Sequence, residues 1–480
     1  MLIRHSAVYV AAKVVPGVLG MATTAVLTHI LDPASYGLYG FALVLMSFGA
    51  TMGFDWLNIS FLRFYQARRE DPKVFSTVVQ LFALIVLSSA IAFGLVWWSG
   101  VLPTSDRAIY VVGLLLIWAY AWFELVTQFE IADFRPLRYF AMNLQRAICM
   151  MVGTVGAAIL TNNPVWTATG TAIGILAGSI PVRGKNLRVG RRTFDTALAC
   201  EIFAFGIPLA ASLVMSSIVT SGTRALIQWL GSSEGLGFYT AAFVLVQNTL
   251  VVLASGIAAA GYSLAVRAVE GGDPAATRQQ LLDNATLLLM VMAPASLGMA
   301  LTAHGIASTL VGSRYVVAVS ALTPWLAAGS FFGTFRAHFL DHAFQLGRRP
   351  YLQIRVIGVA AVVSISLSLW LIPRTGSQGA AVAVAIAMAA SCIHAYFEGL
   401  SAYPMPLPIR ASCKIAAGCF AMAGAVYALS GDTTMRFAMQ VIAGCFVYVI
   451  AMICFNVLGI RDVLMRTLIL RRRQKFVDLG

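Results

Sequence analysis

Six charged side chains interrupt otherwise apolar stretches of this 480-residue chain: Lys13, Asp55, Glu124, Arg146, Arg224 and Arg336. A charge in a hydrocarbon interior is costly, so each must find a partner, a water-filled cavity or a ligand. The four basic groups suit a polyanion, because an ammonium or guanidinium in a dehydrated cavity pairs strongly with phosphate oxygens. Asp55 and Glu124 are candidate charge partners for those cations, or sites of ion coupling. Lys13, Asp55, Glu124 and Arg146 could equally neutralise one another and simply hold helices together. Arg224 has no evident acidic neighbour. Arg336 stands near the end of its stretch, where a long side chain can snorkel to an interface.

The elements that position these residues are membrane-length helices. About fourteen apolar stretches run at 7–30, 37–60, 76–99, 108–130, 138–160, 165–181, 198–229, 237–262, 284–309, 317–340, 353–373, 378–399, 409–429 and 437–460. Each is long enough, at roughly 20 residues, to cross a hydrocarbon core. Hydrophobic residues make up 59% of the chain and charged residues 11%, well below the ~25% charge of soluble domains. Backbone in lipid must close its own hydrogen bonds, so an all-α polytopic membrane protein is expected, with no pattern for a barrel. The first stretch carries Lys13 and Pro16 and lacks a clear cleavage site, so it reads as a retained helix.

With the N-terminus placed in the cytoplasm, 25 of the 33 lysines and arginines fall in cytoplasmic segments and only 4 in outer loops. Positive residues stay inside, so both termini are expected in the cytoplasm. The same distribution explains the net charge of +14 by anionic lipid headgroups, with no need of nucleic acid. On this orientation Lys13, Asp55, Glu124 and Arg146 share one depth, in the inner halves of their helices, and Arg224 lies nearer the outer end of its own. The seven cysteines fall in or beside spans without metal-ligand spacing, and no metal or cofactor is expected. No phosphate-binding loop of the GxxxxGK[ST] type occurs, which argues against ATP hydrolysis by this chain.

The chain repeats itself. Gly37-x-Tyr39 after the first span is echoed by Gly237-x-Tyr239 after the seventh, and Arg135-Pro136 by Arg349-Pro350. Expected domains are an N-lobe (1–184, spans 1–6), a basic linker (185–197), a C-lobe (198–402, spans 7–12), spans 13–14 (403–462) and a basic tail (463–480). Six spans is an even number, so the two copies share one orientation, an arrangement transporters use with the substrate site between lobes. Pro16 and Pro208 occupy comparable places in the two copies and are candidate hinges. Gly170-x-x-x-Gly174-x-x-x-Gly178 reads as a face for close helix packing.

Three stretches resemble the polysaccharide-transport (O-antigen, Wzx-like) branch of the multidrug/oligosaccharidyl-lipid/polysaccharide (MOP) flippase superfamily. They are Leu31…Pro33-x-x-Tyr36-Gly37-x-Tyr39, Phe205-Gly206-Ile207-Pro208-Leu209 and Pro373-x-x-Gly376-x-x-Gly379-Ala380-Ala381. The resemblance covers about residues 1–460. It departs where that branch often carries an Asp-Arg pair late in span 7, since Thr223-Arg224 stands here. The resemblance implies an inner-membrane flippase for polyprenyl-diphosphate-linked oligosaccharide, serving O-antigen, exopolysaccharide or capsule synthesis. It also implies a central, often cationic cavity, and Lys13, Arg146, Arg224 and Arg336 are the substrate-binding candidates. Membrane lipids and polysaccharide polymerase or assembly proteins are the expected partners, and no enzymatic activity is expected. Two alternatives stay open. A drug/cation antiporter of the same superfamily would want unpaired acids in its cavity, and a polysaccharide polymerase or ligase would want sizeable outer loops.

Overall fold

The computed structural model describes residues 2–68, 72–101, 107–180, 194–431, 433–462 and 465; for residues 2–13, 72, 208, 209, 212, 258–260, 262 and 263 it describes backbone only. Among the described residues every regular element is helical. Besides a short helix at Ala303–Leu310, they form fourteen columns. These are α1 (Leu2–Ile30), α2 (Pro33–Ala67), α3 (Pro72–Trp98), α4 (Arg107–Ala132), α5 (Pro136–Thr161), α6 (Pro164–Gly178) and α7 (196–230). Then follow α8 (233–270), α9 (Pro274–Leu301), α10 (Ser313–Leu346), α11 (Tyr351–Thr375), α12 (Ser377–Ala402), α13 (Ile409–Ala428) and α14 (Thr434–Cys454). Eleven described helices are long and apolar enough to cross a membrane, and shorter apolar runs in α1 and α7 add to them. This is an all-α polytopic membrane protein. Most of the basic segment 185–197 and nearly all of the tail 463–480 lie outside the described residues.

The helices cluster into two compact units. The first comprises residues 1–248, 311–315 and 357–387; the second comprises 249–310, 316–356 and 388–480. In the first unit the echo read from the sequence is a physical contact. α2 and α8 each begin on a polar N-cap 200 residues apart. Asp32 accepts from the Ala34 and Ser35 N–H groups, both at 3.0 Å, and the Ser232 hydroxyl accepts from Gly235 N–H, also at 3.0 Å. Partial burial opposes the charge on Asp32, but the hydrogen bonds from Ser35 and Ala34 outweigh it and hold the carboxyl below its ordinary range. Four residues beyond each helix start stands a glycine, and the two glycines meet. A Cβ on Gly37 would drive into the Ser233 carbonyl, and one on Gly237 into the Pro33 carbonyl. Removing the side chain is what lets two backbones touch, the device membrane helices use where no hydrophobic force drives them together.

The α1–α2 turn is capped by residues 311–315, which the first unit draws in from the second half of the sequence. Gly312 N–H donates to Thr28 Oγ1 at 3.2 Å and the Tyr315 hydroxyl donates to the Leu31 carbonyl at 3.0 Å. The Tyr315 ring stands edge-on to both Tyr36 and Phe238, at 5.9 and 5.7 Å.

Four columns are interrupted by a π-helical turn: Thr51–Asp55 in α2, Ile218–Gly222 in α7, Gln247–Val251 in α8 and Arg336–Leu340 in α10. Such turns swap i→i−4 for i→i−5 hydrogen bonds and re-aim the side chains that follow. In α10, Asp341 N–H bonds the Arg336 carbonyl at 2.8 Å, stacking residue 341 over residue 336. The two side chains form a buried ion pair in the second unit, Nε to Oδ2 3.6 Å, with Asp341 also accepting from Gln353 at 3.2 Å.

Two outcomes follow from this packing. Gly37→Ala should lower Tm by several degrees in detergent, because overpacking a fixed contact costs ~1–3 kcal/mol; Gly94→Ala, whose Cβ meets nothing within 4 Å, should leave Tm unchanged. For the α10 pair, Arg336→Met or Asp341→Leu alone should sharply reduce folded protein by stranding a buried charge, ~3–5 kcal/mol, while the double substitution recovers most of it. Size-exclusion yield and Tm read both.

Candidate functional site

The first unit holds a partly open cavity of about 430 Å³ between α1, α2, α4, α5 and α8, with charged and amide side chains set in a mainly apolar lining. Each wall has a sequence-level reason for its place. On α1, Pro16, Gly17 and Gly20 line the cavity, and the two glycines present no side chain, so the helix surface there is thin. Gly20 matters most: the Asn248 amide nitrogen from α8 lies 3.2 Å from where its Cβ would stand. Asn248 itself belongs to the π-helical turn Gln247–Val251. Thr23 and Thr24 continue the α1 wall. The Thr23 hydroxyl is returned to the Leu19 carbonyl at 2.8 Å, and Thr24 Oγ1 accepts from the Tyr36 hydroxyl at 3.3 Å.

The α5 wall carries Tyr139, Asn143, Arg146 and Met150, which recur at three- and four-residue spacing and therefore share one helix face. That face is set by the glycine stripe of α6. Gly170 meets the backbone of Gly153, Gly174 meets Cys149 and Met150, and a Cβ on Gly178 would stand 2.8 Å from Arg146 Cα. The packing stripe thus fixes the backbone that carries Arg146. Its guanidinium lies over the Phe123 ring at 4.6 Å and within 5.8 Å of the Tyr120 ring, and its Nε–H has no hydrogen-bond partner. Glu124, one residue beyond Phe123 on α4, also lines the cavity and lies within electrostatic range of Arg146 and of Asp55.

The structure therefore brings Arg146, Glu124 and Pro16 to one cavity, with Asp55 close to Glu124. It places Arg224 and Arg336 elsewhere. Arg224 is in the first unit but does not line this cavity. Its guanidinium bonds the Thr220 carbonyl (3.1 Å) and Ser221 Oγ (3.3 Å) of its own helix, and it lies over the Phe243 ring at 4.6 Å. Arg336 is held in the second unit by Asp341 and by Ser391 Oγ at 3.3 Å. Lys13 lies on α1 and Pro208 in the first stretch of α7, but their side chains are outside the described residues. A second cavity, about 510 Å³ within the second unit, is lined mainly by apolar side chains such as Leu289, Leu297, Phe331 and Ile415 and offers little to recognise a headgroup.

The sequence reading missed Asn143, Asn248 and Tyr139, because it weighed only full charges inside spans. An amide in a membrane helix was the available signal, since such groups seek hydrogen bonds there. Among the described residues no group of three or more His, Cys, Asp or Glu side chains could hold a metal ion.

Comparison with known proteins agrees with this architecture. A family model described as polysaccharide biosynthesis protein matches residues 2–262. No curated protein sequence matches the chain. Among solved structures, the lipid II flippase MurJ in an inward closed conformation superposes with a TM-score of 0.79 at 15% identity, covering 94% of this chain and 98% of that one. An inward-facing multidrug resistance MATE family transporter of the MOP superfamily gives a TM-score of 0.60 at 15% identity, covering 85% and 99%. A MOP superfamily transporter from Pyrococcus furiosus, titled for the reverse polarity of its binding pocket, gives 0.54 at 14% identity, covering 83% and 94%. Matched over more than half its length, the chain belongs to the polysaccharide biosynthesis protein family and is built on the fold of the MOP superfamily.

Proposed function

We propose that this protein moves a polyprenyl-diphosphate-linked oligosaccharide from the cytoplasmic to the outer leaflet of the inner membrane, by alternating access, for a cell-surface polysaccharide. The observation that carries this reading is a cavity of about 430 Å³ inside an apolar bundle, lined by Arg146, Glu124, Tyr139, Asn143 and Asn248. Charged and polar groups set at one place in membrane helices mark a binding site or pathway. The family description points to polysaccharide, and the MurJ-like fold to a lipid-linked cargo. The 25-to-4 partition of basic residues supports cytoplasmic termini. The internal echo supports two lobes, 1–184 and 198–402. Chemistry on the sugar is not part of this reading; polymerase or assembly proteins would act on what is delivered.

Within this reading Arg146 contacts the cargo and Glu124 tempers its charge. Arg224 and Arg336 serve packing, each held by its own neighbours. A second reading draws on Asp55 beside Glu124: two acids near one cavity suit a cation antiporter. Cells lacking the protein separate the two. Lipid-linked saccharide building up on the cytoplasmic leaflet, with less surface polysaccharide, supports the flippase; normal sidedness with greater drug sensitivity supports the antiporter.

Arg146→Ala should cut transport at least ~tenfold, about 1.4 kcal/mol at the rate-limiting barrier, at unchanged abundance. Arg146→Lys should keep part of the activity. Leaflet sidedness and immunoblot read both quantities. If abundance falls in step with transport, Arg146 holds the bundle together and does not contact cargo.

A further inference from the structure

We infer that residues 311–315 are a strap that roofs the cavity and must lift from the α1–α2 turn for cargo to leave on the outer side. The inference rests on the alternating-access part of the proposed function and names the element that closes its outer side. Thr24, Leu27 and Tyr36 line the cavity. The strap binds the next layer up, at Thr28 and Leu31, and sets the Tyr315 ring edge-on to Tyr36 itself. Val311 and Tyr315 are buried there. On the proposed orientation the α1–α2 turn and the strap both stand at the outer surface. The chain enters the strap from Ala303–Leu310 and leaves it into Val316–Phe335, and both of those helices belong to the second unit. The strap is thus docked on the first unit while tethered at both ends to helices outside it.

The contacts are of a kind that can open and reclose. Carbonyls at a helix C-terminus lack partners within the helix, and just past the end of α1 the Tyr315 hydroxyl supplies one to Leu31. Thr28 Oγ1 donates to the Ala25 carbonyl at 2.9 Å, which leaves its lone pairs for the Gly312 N–H. Water at the outer surface can take over each of these hydrogen bonds, so lifting the strap strands no polar group. Gly312 permits the fit, because a Cβ there would drive into the Thr28 carbonyl. The strap is itself a closed turn, with Tyr315 N–H on the Gly312 carbonyl at 2.8 Å, and it can move as one piece. Short segments that close over a site in this way set the access of many ligands.

The test uses full-length protein in right-side-out membrane vesicles. Thr23→Cys places a thiol on the cavity lining, and its labelling by a membrane-impermeant maleimide added outside is read by peptide mass spectrometry, so the native cysteines can stay. His29→Cys and Ser313→Cys add two exposed thiols beside the contact, where a Cβ on Gly312 would stand 3.3 Å from His29 Cα. Joining them with a short, reducible bismaleimide should slow labelling of residue 23 about tenfold or more, since a strap held down depletes the open form. Transport should fall with it, and reducing the linker should restore both. Tyr315→Phe, which loses the bond to Leu31, should instead speed labelling at unchanged abundance. Labelling that either change leaves as it was, or a residue 23 that outside reagent never reaches in the unlinked protein, would overturn the roof. The labelling needs no cargo, so it judges the strap even where cells lacking the protein keep normal sidedness, a result that would sink the flippase reading alone.

Discussion

The close approach of helix backbones is the constraint on which the first unit depends. Lipid tails are as apolar as leucine, so burying leucine does not drive two membrane helices together; contact distance and hydrogen bonding do. At the α2–α8 crossing, Gly37 and Gly237 reciprocally face the first-turn carbonyls of the opposite helix. At α5–α6, Gly153 faces Gly170, and Gly178 faces Arg146. These two contacts set four of the helices in and around the cavity of the first unit. Were either pair spaced by side chains, Asn248 and Arg146 would be carried away from the walls they line.

Much of this was legible in the sequence. Apolar runs of about 20 residues gave a count that the helical columns match; the Gly-x-Tyr echo read as an internal repeat, and that its two glycines touch follows only from the packing. The stripe in α6 read correctly as packing, although its role in seating Arg146 needed coordinates. The π-helical turns were not legible. Helical reasoning compares residues three and four apart, and Arg336 and Asp341 are five apart. Only the i→i−5 bond from Asp341 N–H to the Arg336 carbonyl brings those side chains to one side of the column. The same limit hid Asn248, which a π-helical turn carries to the cavity.

Cost inside a membrane sorts the charges by how each is satisfied. Arg336 is neutralised by a carboxylate, and Arg224 by the carbonyl and hydroxyl of its own helix together with an aromatic face. Neither has an evident need for a ligand. Arg146 differs in lining an open volume, where an aromatic face holds its plane and Glu124 lies within electrostatic range. A charge tempered in this way can accept and release polar cargo, because binding that is too strong would block the release step of any transport cycle. In the proposed cycle a cation with an acid nearby, surrounded by amide and phenol groups whose hydrogen bonds exchange readily with those of water, can hold polar cargo and let it go.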